Sequence, residues 1–174
     1  MRLSDVKIGG TFTVGGIEFI KFSEENGAAV SVAKEILFNS TFGSNNNFSE
    51  SSILKRLLKE TLPKLEAAVG AENILEFETD LLSLDGSVIY GKMNSKISLS
   101  TFDFYRENVK IFDRYKLGAW WWLSTPDTTE EHADDYWAVC VSPLGGIGID
   151  GYYHCGGVRP VLRFVSSISV SSEG

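Results

Sequence analysis

The amino-acid sequence predicts a single α+β domain, and three observations support this fold class. Short apolar runs separated by Gly-rich turns predict β-strands along much of the chain. Two segments in the middle, one from residue 53 to 62 and one that begins at Phe102, have apolar residues at helical spacing instead. Strands and helices that are grouped separately are typical of α+β proteins, and 174 residues are the length of one domain.

The composition disfavours several classes of partner. A content of 43% hydrophobic and 22% charged residues is ordinary for a globular protein. The net charge of −7 disfavours nucleic acid, which requires clustered Lys and Arg, and also disfavours anionic membranes. No apolar stretch reaches the ~20 residues of a membrane-spanning helix, and residues 1–10 lack an apolar signal region. We therefore expect no nucleic-acid or membrane partner, and a cytoplasmic or virion-associated protein.

The first elements predicted are a β-hairpin and a third strand. Residues 11–14 and 17–22 form the hairpin, with its turn at Gly15-Gly16. Residues 28–33 form the next strand. Residues 39–49 are polar and turn-forming, so we expect a loop there.

Helical spacing begins after this loop. Ser49 or Ser51 is the expected N-cap of a helix whose apolar residues recur every three or four positions over residues 53–62. Pro63 suits the first turn of a short second helix, and Gly70 suits its end. The sequence therefore predicts two consecutive helices before residue 70.

The region between residues 74 and 112 is less regular. Residues 74–84 are expected to be extended and to end at an Asp85-Gly86 turn. Thr101 is the expected cap of a helix of about ten residues that begins at Phe102. Asp103 favours the first turn of that helix through the helix dipole.

Residues 118–166 hold all four tryptophans and predict strands instead of helices. The strands are expected at residues 119–123, 136–141, 146–149 and 158–165. Alternate residues of a strand point to opposite faces, so the run Trp120, Trp121 and Trp122 cannot be buried on one face. We expect Trp120 and Trp122 in the core and Trp121 on the opposite face, which requires a strand covered on both sides.

Two motifs in this segment, residues 121–126 (WWLSTP) and 157–162 (GVRPVL), resemble the closing signature of a bacterial and bacteriophage domain family of unknown function. Residues 12–20 and 28–32 fit the opening of that family, and residues 97–106 echo its middle segment. The resemblance spans roughly residues 8 to 166. The family usually has Arg at the position of Ser124, so any role of that arginine does not carry over.

This family is similar to the C-type-lectin-like fold of formylglycine-generating enzymes and retroelement variable proteins. The resemblance implies a twisted antiparallel sheet with two or three helices packed on it, and a loop-rich segment that bears the ligand site. It implies one domain over residues 1–174, made of a hairpin and helices (1–117), Trp/Gly-rich strands with the ligand loop (118–166) and a tail (167–174). The tail is expected to fray after an edge strand at residues 168–170.

The candidate ligand-binding residues lie in the segment 127–156. Aromatic side chains alternate there with short polar residues and glycine, which is the composition of adaptable recognition loops. An alternative interpretation is that Trp137 and one of the two tyrosines at 152 and 153 simply pack the strands. The candidates are Asp134, Asp135, Tyr136, Trp137, Asp150, Tyr152, Tyr153 and His154.

Arg159 and Pro160 are expected to have structural roles. Arg159 lies on an otherwise apolar strand, which predicts a buried guanidinium that bonds backbone carbonyls or a carboxylate such as Asp113 or Asp127. Pro160 cannot donate a ladder hydrogen bond and therefore predicts an edge or bulged strand.

No cofactor or metal is expected. Residues 146–151 spell G-x-G-x-x-G, but no helix follows, as a dinucleotide site requires. The His and Cys residues of the segment lack zinc-site spacing. Cys140 and Cys155 are either reduced thiols or a pair, with Cys140 pointing into the core and Cys155 in a loop.

Together these features predict a non-catalytic module that binds a glycan or a protein ligand through residues 127–156, in phage or bacterial receptor binding or surface display. The alternative is a structural or assembly protein that forms a homo-oligomer or meets a phage structural partner. A divergent cysteine-dependent enzyme that uses Cys155 is a third hypothesis.

Overall fold

The computed structural model describes residues 1–172 and has an α+β architecture. The helical residues form two segments, α1 (Ser52–Arg56) to α2 (Leu62–Val69) and α3 (Phe102–Glu107) to α4 (Val109–Phe112), with short 3-10 turns at Leu3–Asp5, Phe48–Glu50, Ala71–Asn73 and Asp113–Tyr115. The strands are β1 (Thr11–Val14), β2 (Ile17–Glu25), β3 (Ala28–Ala33), β4 (Phe38–Ser40), β5 (Ile74–Leu75), β6 (Phe77–Asp80), β7 (Lys92–Ser95), β8 (Ile97–Leu99), β9 (Trp121–Pro126), β10 (Trp137–Val141), β11 (Ile147–Gly151), β12 (Gly156–Val158) and β13 (Pro160–Val165).

The strands form several sheets instead of the single sheet expected. A six-stranded sheet has the order β1-β2-β3-β13-β5, and β8 also pairs with β13. A five-stranded sheet has the order β11-β10-β9-β12-β4, and β6 pairs with β7 as a separate hairpin. The pairings are antiparallel except for β12 beside β9, where Gly157 lies opposite Trp121 in a parallel pair. The chain passes from one large sheet to the other at Arg159, between β12 and β13.

Pro160 was predicted on an edge or bulged strand, and this prediction is wrong on both counts, because β13 is not an edge strand and its pairings show no register shift. β13 is central in its sheet, with β3 on one side and β8 and β5 on the other. Pro160 is the first residue of β13, a position where the missing N–H is tolerated. The proline therefore marks the point where the chain changes sheets.

The tryptophan run is buried on two faces of β9. Trp122 is fully buried in a core cluster with Phe12, Phe19 and Phe164, whereas Trp121 is 3% exposed in a second cluster. Trp120, which was expected in the core, precedes β9 and is only half-buried; it packs against the core, with its ring centroid 4.8 Å from that of Trp122. Strand alternation thus gives the two-sided burial predicted from the run.

The first helical segment contains the two helices predicted, α1 and α2, with Pro63 in the first turn of α2, and a π-helical turn joins them without a break from Ser52 to Val69. Ser51 is the N-cap, and its Oγ accepts a hydrogen bond from the Leu54 N–H at 3.0 Å. Residues Leu57–Thr61 form a π-helical turn that ends two residues before Pro63. Pro63 has no N–H, and the widened turn lets the helix continue past it until Gly70, which has a φ of 91°.

The second helical segment begins as predicted and is interrupted sooner. The Thr101 Oγ1 accepts a hydrogen bond from the Phe104 N–H at 3.1 Å, so Thr101 is the N-cap. Asn108 leaves helical geometry with φ −118° and ψ 18°, and its side chain donates to the Phe104 carbonyl at 2.9 Å. The predicted single helix is therefore two short helices.

Two further expectations differ from the structure. Residues 39–49 are not entirely loop, because β4 pairs with β12 and Phe48–Glu50 is a 3-10 turn. The edge strand expected at residues 168–170 is replaced by two isolated bridges, Ser169 with Arg2 and Ser171 with Thr13, so the chain is still paired one residue beyond the point where fraying was predicted. Ile168 and Val170 are 7% and 8% exposed. The apolar tail residues complete the core, which offsets the entropy of ordering them. The last two residues of the predicted tail, 173 and 174, lie outside the described residues.

No helix in the described part of the chain is both long enough and apolar enough to cross a bilayer.

Candidate functional site

Five of the candidate side chains meet in one aromatic cluster, made of Tyr136, Trp137, Tyr152, Tyr153 and His154. The Tyr136 ring is central, with centroid distances of 4.9 Å to Trp137, 5.3 Å to Tyr152 and 5.3 Å to Tyr153. The Tyr153 ring also lies 4.3 Å from the His154 ring. All of these pairs are T-shaped, the favourable edge-to-face arrangement of aromatic rings.

Strand register brings these side chains together. β10 begins at Trp137 opposite Gly151, the last residue of β11, so the residues before β10 lie beside those after β11. The Tyr152 N–H donates to the Tyr136 carbonyl at 3.0 Å and extends this pairing. Gly151 has a steric role, because a Cβ at this position would lie 2.8 Å from Tyr153 Cε1. A side chain there would displace the ring that folds over the strand end.

The cluster has a buried side and an exposed side. Tyr152 is half-buried and packs against the main core, which agrees with the alternative interpretation for this one tyrosine. Tyr153 is 47% exposed, and the side chain of His154 is 52% exposed. Tyr136 and Trp137 are intermediate. A ligand would therefore meet Tyr153 and His154 first.

The acidic candidates have different environments. Asp150 accepts a hydrogen bond from His154 Nδ1 across the turn that follows β11. Asp134 is exposed, and its Oδ1 accepts from the Tyr136 N–H at 3.0 Å. The Asp135 carbonyl accepts from the Asn46 N–H at 2.9 Å. Asp134 and Asp150 thus lie beside the rings, whereas the Asp135 backbone helps to hold the loop.

The Tyr136 hydroxyl is held in its neutral form. A hydrogen bond with Tyr153, together with partial burial, raises the pKa of Tyr136 to about 12. A tyrosine of ordinary pKa is already protonated at neutral pH, so the shift indicates only that the hydroxyls of Tyr136 and Tyr153 are engaged with each other.

Asn46 anchors the segment that leads into the cluster. It is fully buried, and its Nδ2 donates to the Thr128 carbonyl at 2.8 Å and to the Trp137 carbonyl at 2.9 Å. Its Oδ1 accepts from the Tyr90 hydroxyl at 2.6 Å. The sequence does not distinguish Asn46 from the polar residues around it, because its importance depends on partners 82 and 91 residues away.

A second polar network fixes the start of the same segment. Asp85 accepts hydrogen bonds from Ser83, from Thr128 Oγ1 at 2.5 Å and from His132 Nδ1 at 3.1 Å. The Ser83 and Thr128 hydroxyls hold the pKa of Asp85 well below its usual range. Together with Asn46, this network orders residues 128–137. The candidate site is therefore supported by a preorganised loop.

Arg159 bonds backbone carbonyls, one of the two possibilities predicted for it. Its Nε donates to the Ala33 carbonyl and its Nη2 to the Lys34 carbonyl, both at 3.0 Å. Arg159 is 1% exposed, and its guanidinium carbon lies 4.6 Å from the Trp121 ring centroid. Within residues 1–172, neither Asp113 nor Asp127 forms an ion pair with it. Burial lowers the pKa of Arg159 to about 10, which still leaves it cationic at neutral pH.

The cysteines are unpaired, and their environments differ. Both lie within the described residues; Cys140 is buried and Cys155 is exposed. Burial and the nearby Asp150 raise the pKa of the Cys140 thiol to about 11, which disfavours a nucleophilic thiolate there. Among the described residues, no group of three or more His, Cys, Asp or Glu residues is arranged to hold a metal ion.

Comparison with protein-family models, curated proteins and solved structures finds no match for this chain. The resemblance to the bacterial and phage family thus stays a prediction from motifs.

Proposed function

We propose that this chain is a non-catalytic ligand-binding module that takes a glycan at the aromatic cluster. The observation that carries the proposal is the convergence of five predicted aromatic side chains at one surface, with Tyr153 and His154 exposed. Stacking on Tyr153 would supply the apolar contact with a sugar ring. The carboxylates of Asp134 and Asp150 would accept hydrogen bonds from sugar hydroxyls.

The order of the supporting loop also favours binding. Asn46 and Asp85 hold residues 128–137 through side-chain hydrogen bonds. Because this segment is already ordered, ligand binding loses less conformational entropy there. Tyr136 lies between the ordered loop and the exposed rings. The aromatic cluster therefore has a rigid base and an accessible outer face.

We also propose that this α+β domain has the C-type-lectin-like fold. The α+β architecture is compatible with a C-type-lectin-like domain, and the closing motifs at residues 121–126 and 157–162 support that relationship. In such a domain, the aromatic cluster would act in phage or bacterial receptor binding or in surface display. Fold alone does not decide between these roles.

A protein partner is the second candidate function, and a specific feature favours it. β11 is an edge strand of the five-stranded sheet, and Ile147 and Ile149 on it are 43% and 45% exposed. Leu144 in the preceding turn is 84% exposed. Apolar side chains on an exposed edge strand are typical of contact surfaces. Self-association that Leu144→Asp and Ile147→Asp abolish would support an assembly function.

The glycan proposal is tested on an array of bacterial and host glycans, probed with calcium and with chelator. We expect at least one glycan to bind in both buffers, since no metal is needed for the contacts described. The variant Tyr153→Ala should lose the signal, whereas Ile8→Ala, which removes a side chain 50% exposed outside the aromatic cluster, should retain it. No glycan bound in either buffer would overturn the glycan proposal and favour a protein partner.

A further inference from the structure

A cleft of about 360 Å³ lies between the six-stranded sheet and the β6–β7 hairpin, away from the aromatic cluster. Its walls are mainly apolar side chains from β3, β6, β8, α3 and β13. No residue of the aromatic cluster lines it. The apolar residues that line the cleft include Val30, Phe77, Leu99, Phe104 and Val161.

Two polar groups that line this cleft have no partner among residues 1–172. The Oγ of Ser100 is buried without a hydrogen bond, and Ser100 is 1% exposed. The Nε of Arg163 is likewise buried and unbonded. A buried donor without a partner costs free energy, so folded proteins rarely retain one without a reason. Four buried side-chain atoms lack a partner in this part of the chain: these two border the same cleft, whereas the Oγ atoms of Ser31 and Ser166 do not line it.

The charge around the cleft favours an anionic group. Arg163 forms no ion pair with any carboxylate in the described part of the chain, although arginine is suited to bind carboxylates through paired N–H groups. The acidic residue that lines the cleft is Glu78, whose side chain is 56% exposed and pairs with Lys92 at 3.4 Å. The Glu78 carboxylate is therefore partly neutralised and solvated.

We propose that this cleft binds a small apolar carboxylate, with its carboxylate on Arg163 and Ser100 and its hydrocarbon part between Phe77 and Phe104. The size and the mainly apolar lining with a few converging polar groups are those of small-molecule sites. A carboxylate accepts from both the guanidinium and the hydroxyl, so it satisfies the two unbonded groups at once. The proposal is independent of glycan binding, because the two sites share no residue.

The test uses octanoate as the probe, measured by isothermal titration calorimetry, with 1-octanol as its neutral analogue. We expect saturable binding of octanoate and binding at least tenfold weaker for octanol. Arg163→Gln and Ser100→Ala should each weaken octanoate binding, Arg163→Gln by tenfold or more. The same change at Arg56, which is exposed on α1 and does not line the cleft, should leave octanoate binding unchanged.

A second measurement, the unfolding temperature, does not depend on the affinity for octanoate. Ser100→Ala should leave the unfolding temperature unchanged or raise it, because its hydroxyl has no partner within the described protein. Octanoate should also shift the amide resonances of Thr79 and Thr101, which border the cleft. The proposal is overturned if octanoate does not saturate, if octanol binds equally well, or if Arg163→Gln binds octanoate as the wild type does.

Discussion

The guanidinium of Arg159 stacks on Trp121 at 4.6 Å and joins the two sequence motifs of the closing segment. Trp121 belongs to the first motif and Arg159 to the second. The same guanidinium donates to the carbonyls of Ala33 and Lys34, at the end of β3. One buried cation thus connects both large sheets at the residue where the chain passes from one to the other.

Arg159→Met should therefore destabilise the protein without affecting the aromatic cluster directly. The substitution retains much of the apolar stem but leaves two carbonyls without their donors, at a cost of about 2–5 kcal/mol. For a chain of this length we expect a Tm lower by roughly 5–15 °C in differential scanning calorimetry. Arg106→Met is the control, because Arg106 is 63% exposed and its ion pair contributes little. Equal Tm changes in the two variants would contradict the structural role of Arg159.

Asn46→Ala should loosen the segment that supports the aromatic cluster. The change removes the donors to the Thr128 and Trp137 carbonyls and the acceptor of the Tyr90 hydroxyl. We expect a loss of at least about 1–3 kcal/mol and faster amide hydrogen exchange in residues 128–137. Asn94→Ala, at an exposed position, is the matched control. Unchanged exchange in this segment would show that Asn46 does not anchor it.

The Asp85 network makes part of the stability depend on pH. Hydrogen bonds from Ser83 and Thr128 hold the pKa of Asp85 below its value in the unfolded chain, about 3.9. The stabilisation is therefore fully present above that unfolded pKa and is lost as the pH falls toward the folded pKa. The Tm difference between wild type and Asp85→Asn should shrink as the pH falls below about 4. A constant difference from pH 7 to pH 3 would contradict this assignment.

The two thiols should react at very different rates. Cys155 is exposed, whereas Cys140 is buried and has a pKa raised to about 11. Titration of the native protein with Ellman's reagent at pH 7.5 should modify one thiol rapidly, and Cys155→Ser should remove that phase. Cys140→Ser should leave the rapid phase intact. If modification of Cys155 abolished glycan binding, Cys155 would also belong to the ligand site. Rapid reaction of Cys140 would contradict its burial.

The parts of the fold that local pattern determines could be predicted from the sequence. The tryptophan run implied burial on both faces of β9, because side-chain alternation in a strand follows directly from backbone geometry. The cap at Thr101 could be recognised, and the cap of the first helix could be narrowed to Ser49 or Ser51, because an N-cap depends on residues within one helical turn.

Features that depend on distant partners could not be predicted in the same way. Pro160 was expected on an edge or bulged strand because proline cannot donate a ladder hydrogen bond, and the sequence does not reveal that β3, β5 and β8 flank β13. In the sequence, Asn46 cannot be distinguished from the other polar residues of segment 39–49, so its anchoring role could not be predicted. The aromatic residues of the candidate site could be selected by composition, but their convergence follows from the register of Trp137 opposite Gly151.

The affinity of Tyr153→Ala for a glycan identified on the array tests the central claim most directly. Tyr153 is exposed, so its truncation should change binding without unfolding the protein, unlike truncation of the half-buried Tyr152. We predict affinity at least tenfold weaker for Tyr153→Ala by calorimetry, with Ile8→Ala unchanged and both variants as stable as wild type to within about 1 kcal/mol. Equal affinity of wild type and Tyr153→Ala would contradict a ligand site at the aromatic cluster.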